Sequence, residues 1–120
     1  MNNRAVGQTY ENRARAYLES QGVKILEQNF RNRKGEVDLI GKHEDYLVFF
    51  EVKYRKKASN GNPLEAVTYA KQKQICAVAD FYRMSRKYSE FTPIRFDVVG
   101  ILDTEISWIK NAFPYISYYR

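Results

Sequence analysis

The run Tyr46-Leu-Val-Phe-Phe-Glu-Val-Lys-Tyr-Arg55 reads as one long strand, apolar on both faces and so central to its sheet. A strand sends alternate side chains to the same face, so Glu51 and Lys53 project together from apolar surroundings. Burying a carboxylate or an ammonium costs several kcal/mol or more unless it is paired or bound to an ion. A fold that accepts both there has a use for them. Asp38, in Gly35-Glu-Val-Asp-Leu-Ile40, lies just upstream on the neighbouring strand. An Asp on one strand and a Glu-x-Lys on the next can hold a divalent metal and a lysine beside one phosphate.

Working outward, residues 4–21 carry Val6, Tyr10, Ala14, Tyr17 and Leu18 on one helical stripe, with Glu11 at its edge and Gly22 as the stop. Val23–Phe30 reads as a strand and Asn32-Arg-Lys-Gly35 as a basic turn. Glu36–Gly41 is the next strand, with Val37 and Leu39 on one face and Glu36, Asp38 and Ile40 on the other. After a basic loop from Arg55 to Asn62, a helix is predicted over Pro63–Arg86, with Asn62 as N-cap, Pro63 at N1 and Glu65 at N3. Leu64, Val67, Ala70, Ile75, Val78, Phe81 and Tyr82 form its inner face, and Lys71 and Gln74 point into that same face. Arg95–Leu102 and Glu105–Ala112 are strands joined at Asp103-Thr104, a pair that leaves the turn type open. The order α-β-β-β-α-β-β predicts an α/β (α+β) fold, with a central mixed sheet flanked by helices in one domain over residues 1–120.

Composition narrows the chemistry. The 120 residues are 44% hydrophobic and 28% charged, which suits one globular core. Net charge is +6 and the pI about 9.4, which favours a polyanionic partner. Cys76 is the single cysteine, which rules out an internal disulfide and a Cys-rich zinc site. His43 is the single histidine, so His-based metal sites and Ser/His/Asp catalysis lack their parts. No apolar stretch approaches the roughly 20 residues of a membrane span, and the N-terminus lacks the apolar core of a signal peptide. A cytoplasmic protein with no membrane partner is expected.

Each candidate has a plainer alternative. Glu51 and Lys53 are a metal ligand and its lysine, or a structural pair at a sheet edge. Glu11 is a third carboxylate of the site, or a solvated residue paired with Arg15 at i+4. Lys71 and Gln74 contact phosphate or a metal's waters, or Lys71 snorkels past the sheet edge. Arg31, Arg33, Lys34, Arg55, Lys56 and Lys57 form two basic clusters flanking the site strands, where they can bind a nucleic-acid backbone or simply be solvated. Arg95 and Asp97 share a face and read as a structural pair. Tyrosines are abundant enough to offer stacking platforms, although most belong to the core or an interface.

Together these residues resemble the PD-(D/E)xK nuclease superfamily, and more closely its UPF0102 (YraN-like) family. The resemblance runs nearly end to end. It takes in Glu11 with Ala14 and Tyr17-Leu18, Asn29, Gly35-Glu-Val-Asp-Leu-Ile40 and Val48-Phe-Phe-Glu-Val-Lys-Tyr-Arg55. It continues through Gly61, Pro63, Lys71, Arg95-Phe-Asp-Val-Val99 and Ala112-Phe113. Tyr10 departs from it, standing where the family pattern has glycine. The resemblance implies a restriction-endonuclease-like core related to Holliday-junction resolvases. It implies a nuclease centre of Glu11, Asp38, Glu51 and Lys53. Asp38 and Glu51 would hold Mg²⁺ or Mn²⁺ with the Val52 carbonyl, Glu11 would be an outer or second-metal ligand, and Lys71 would touch phosphate.

The expected function is that of a metal-dependent DNA endonuclease, possible on branched DNA. The alternative is a non-catalytic nucleic-acid-binding adaptor in DNA processing that keeps the fold. A membrane-surface module would need a basic amphipathic helix, which is not evident. Branched-DNA enzymes of this fold often act as symmetric pairs, and the tyrosine-rich tail with Ile106–Phe113 offers a surface for a homodimer.

Overall fold

The computed structural model describes residues 3–56 and 67–117. β3 (Tyr46–Arg55) is the middle strand of five and is fully buried from Leu47 through Glu51. It pairs antiparallel with β2 (Gly35–His43) and parallel with β4 (Ile94–Leu102). β1 (Lys24–Asn32) and β5 (Glu105–Ile109) form the two edges, both antiparallel to their neighbours, in the order β1-β2-β3-β4-β5. A parallel pair cannot be closed by a hairpin and needs a crossover. That crossover carries α2 (Tyr69–Ser85), while α1 (Asn3–Ser20) precedes the sheet.

The alternation of β3 decides which helix covers which face. Leu47 and Phe49 pack with Ile75, Val78 and Tyr82 of α2 and with Phe96 and Val98 of β4. Val48 and Phe50 pack with Ala14 and Leu18 of α1 and with Val99 and Ile101. The helices therefore cover opposite faces. α1 stops at Gly22, whose φ of 94° suits glycine. There Gly22 N–H donates to Glu19 (3.2 Å) and Val23 N–H to Leu18 (3.0 Å), closing the helix in a Schellman motif.

Several expected boundaries move. α2 begins at Tyr69, because Thr68 is its N-cap and Thr68 Oγ1 accepts from Lys71 N–H at 3.1 Å. The expected cap at Asn62, with Pro63, Leu64 and Glu65, lies outside the described residues. Ala70 and Phe81, expected inside, are exposed. The buried arc of α2 is centred on Ile75, Cys76, Ala79 and Tyr82, which leaves Phe81 at its side, touching Phe30. β5 stops at Ile109 rather than Ala112, since Asn111 takes a φ of 54° and Ala112 N–H donates to Phe96 O at 2.7 Å. That turn drives Phe113 into the core against Phe96. Tyr115 then donates to Asp80 Oδ2 at 2.7 Å, so this part of the tail packs on its own chain. The β4–β5 loop is the two residues Asp103-Thr104, and Asp103 takes the positive φ, 57°, that its first position requires.

The sheet end opposite Lys53 is closed by a buried polar knot. Arg95 donates twice to Asp97 Oδ2 and Oδ1 at 2.9 Å and bonds His43 Nδ1 at 3.0 Å. Trp108 Nε1 (2.8 Å) and Asn111 N–H (2.9 Å) also donate to Asp97. The carboxylate is fully buried and fully satisfied, the condition under which a buried charge is tolerated. The expected structural pair is present, and His43 belongs to it. Among the described residues no helix is long and apolar enough to cross a membrane.

Candidate active site

The other end of the sheet opens. The β2–β3 ladder ends at the pair Leu39↔Phe50. Beyond it, Asp38 Oδ2 takes the place of a backbone carbonyl and accepts from Val52 N–H at 2.8 Å. Asn29, across β1, adopts a φ of 57° at the same level, a conformation that Asn tolerates better than most residues. Strict alternation of β2 is broken here. Val37 packs with Ile40 on the α2 side, while Leu39 packs on the α1 side. This corrects the expectation that Val37 and Leu39 share a face. The irregularity leaves the Asp38 carboxylate in the plane of the opening rather than on either face of the sheet.

Glu51 meets Asp38 there, with the two carboxyls within hydrogen-bonding reach. Glu51 is 3% exposed. Burial first, then the charge of Asp38, pushes its pKa up to about 9, and Lys71 and Lys53 only partly oppose this. Both ammoniums approach the same oxygen: Lys71 Nζ lies 3.7 Å and Lys53 Nζ 3.8 Å from Glu51 Oε2. Each lysine remains about a third open to solvent, at 30% and 28%. Lys71 also donates to Gln74 Oε1 at 3.2 Å. Gln74 in turn lies across Gly35, where a Cβ would come within 2.4 Å of Gln74 Cδ. The β1–β2 turn thus seats Gln74, and Gln74 seats Lys71.

Glu11 arrives from α1. It does not pair with Arg15, which bonds Gln28 (3.2 Å) and faces Glu19 (3.6 Å). Burial, then the charges of Asp38 and Glu36, raises its pKa to about 7, and a hydrogen bond from Asn29 partly offsets the rise. Its Oε1 is buried without a hydrogen-bond partner. Glu11 lines a cleft of about 230 Å³ with Gly7, Gln8, Asn29, Arg31 and Glu36. Among the described residues no three Asp, Glu, His or Cys side chains close together as a metal cage. The donors nevertheless fit a hard divalent cation. Mg²⁺ is commonly held by one or two carboxylates with waters completing its shell. Asp38 and Glu51 are two such carboxylates under mutual repulsion, and Glu11, which feels the charge of Asp38, has an unmatched oxygen.

The basic residues divide. Arg31 pairs with Glu36 at 3.2 Å and remains largely exposed. Arg33 and Lys34 occupy the tip of the β1–β2 turn. Arg55 and Lys56, with Val52, Lys53 and Tyr54, line a cleft of about 410 Å³ at the end of β3. Lys57 lies outside the described residues, as do Gly61 and Pro63. One feature had no visible signal in the pattern of spacing. Tyr10 stacks on Tyr54 with centroids 4.0 Å apart and planes 12° from parallel, while Arg13 lies 5.6 Å over Tyr10. The ring at position 10 thereby ties α1 to β3 beside both Glu11 and Lys53.

Comparison with known proteins bears on the whole arrangement. The model of the Uncharacterised protein family UPF0102 matches residues 10–101, from just before Glu11 to the end region of β4. The chain belongs to the UPF0102 family. A UPF0102 protein of Lachnoclostridium phytofermentans is 47% identical over 94% of this chain and 96% of its own length. One from Clostridioides difficile is 44% identical, covering 94% of this chain and 100% of that protein. One from Vibrio campbellii is 43% identical over 91% and 92% respectively. The match takes in α1 from Tyr10 onward with Glu11, the β2–β3 split and Lys71 of α2.

Proposed function

We propose that this UPF0102 protein is a divalent-metal-dependent DNA endonuclease that hydrolyses phosphodiester bonds. The observation that carries the reading is half-buried Asp38 set against buried Glu51, with two ammoniums, Lys53 and Lys71, on one Glu51 oxygen. A structural ion pair needs one cation, whereas a site for a metal and a phosphate needs carboxylates and surplus positive charge together. Asp38 and Glu51 would hold Mg²⁺ or Mn²⁺, which when bound would supply charge to polarise a phosphoryl oxygen and to acidify a water. Val52 N–H holds Asp38 in position through Oδ2. Lys53 steadies the attacking water and the negative charge that grows on the phosphate. Lys71, seated by Gln74, contacts a phosphate oxygen. Glu11 orients the outer edge of the site. Water adds to phosphorus, the bond to one ester oxygen breaks, and that oxygen leaves with a proton.

Purified protein should cut at least one of junction, flap, single-stranded or duplex DNA with Mg²⁺ or Mn²⁺. Lys53→Ala should keep DNA affinity and lose about 10²–10³ in rate. Wild type that binds DNA and cuts none of these with either metal replaces this reading with the non-catalytic adaptor.

A further inference from the structure

The β1–β2 turn carries Arg33 and Lys34 and borders a second cleft, of about 490 Å³, lined among the described residues by Asn32, Arg33, Lys34 and Phe81. Small-ligand cavities are roughly 300–1,000 Å³, so the space suits a nucleobase with its sugar. Phe81 is 45% exposed. One side of its ring meets Phe30, with centroids 6.3 Å apart. An exposed phenyl ring beside two cations pairs the two chemistries of a nucleotide: a flat apolar base and an anionic phosphate. Basic charge without the ring would suit any backbone, and a ring without charge would suit any apolar partner.

The turn that borders the cleft is also linked by contacts to the proposed centre. Asn32 and Gly35 bracket the turn, and Lys34 N–H donates to Asn32 Oδ1 at 2.8 Å, fixing its shape. Gly35 carries Gln74, and Gln74 accepts from Lys71, which faces Glu51. A strand whose scissile phosphate lies against Lys53 and Lys71 can follow this line over the turn towards Phe81. A base reaches the ring only if it is not paired in a duplex.

We infer that the Arg33–Lys34–Phe81 cleft is a stacking subsite for an unpaired nucleotide a few positions along the strand from the scissile phosphate, so that the substrate contains a single-stranded segment. The inference rests on the nuclease reading for its placement relative to a scissile phosphate, but the subsite itself can be tested by binding alone.

The test measures binding of a fluorescently labelled single-stranded DNA oligonucleotide and of the same oligonucleotide carrying abasic sites, without divalent metal. Wild type should prefer the base-bearing strand by on the order of 10-fold or more, the scale of stacking one base. Phe81→Leu keeps the apolar contact with Phe30 and removes the flat ring; it should abolish the preference and leave the salt slope unchanged. Arg33→Ala with Lys34→Ala should weaken both oligonucleotides alike and flatten the salt slope. Equal wild-type affinity for the two strands, or a preference that survives Phe81→Leu, overturns the subsite. So does a dimer, seen by sedimentation, that Phe81→Leu dissolves without any base-dependent binding. A parallel Mn²⁺ cleavage assay separates the two ideas: base-dependent binding without cleavage removes the nuclease and keeps the subsite.

Discussion

Glu51→Gln should stabilise the metal-free protein at about pH 8, although it replaces the carboxyl that faces two lysines. The sign follows from the raised pKa, 4.5 in an unfolded reference and about 9 in the fold. Between those values the folded chain binds a proton that the unfolded chain has lost, so stability is fully present at low pH and falls as pH rises. Each tenfold change in proton affinity is worth about 1.4 kcal/mol. From about pH 5 to about pH 8 an isolated group of this kind would lose on the order of 4 kcal/mol. Glu51 interacts strongly with its neighbour Asp38, and halving the isolated-group value for this gives about 2 kcal/mol. At this chain length that corresponds to roughly 6–12 °C in Tm. Thermal unfolding with a chelator, scanned over pH, should show wild type falling along that slope and the Gln variant nearly flat. Added Mg²⁺ or Mn²⁺ at about ten times its Kd should return roughly 1.4 kcal/mol to wild type at the higher pH. It should return little at about pH 5, where the proton holds the site, and none to Glu51→Gln. A Gln variant less stable than wild type at the higher pH, or a wild type with no slope, would refute the crowded-carboxylate argument.

Asp97→Asn leaves Arg95 buried beside a neutral amide and should cost about 3–5 kcal/mol, read as a Tm drop well above 10 °C. Gly35→Ala is strained at a φ of 150° and pushes Gln74 aside. A cost of about 1–3 kcal/mol in chemical denaturation is expected, and crystallography or NMR should find Lys71 detached from Gln74.

Much of the arrangement could be read from local pattern. The run from Leu47 to Phe50 is apolar at every position, which predicted a central strand, and strict alternation placed Glu51 with Lys53. Arg95 and Asp97 were legible as a pair for the same reason. What escaped was set by distant partners. Asp38 leaves the alternation because the ladder to β3 ends and Asn29 turns left-handed across from it, neither of which a two-residue period encodes. Phe81 has the spacing of an inner residue, but it lies at the side of the arc that α2 buries, beside Phe30 of β1. The Tyr10–Tyr54 stack joins residues that periodicity treats separately.

A strand that is apolar on both faces has little to index its position. On β3, moving every side chain to the opposite face would exchange Leu47 and Phe49 for Val48 and Phe50 and bury similar oil. The polar groups at the two ends are what make one alignment different from the next. Asp38 accepts from Val52 N–H at one end, and at the other Arg95 of β4 reaches both Asp97 and His43 of β2, across the width of β3. A slip of one residue would carry Glu51 and Lys53 together to the α1 face and strand the Lys71 ammonium on α2. The carboxylates that make the opening chemically useful therefore also act as alignment keys, much as a single buried polar residue selects the register of a coiled coil.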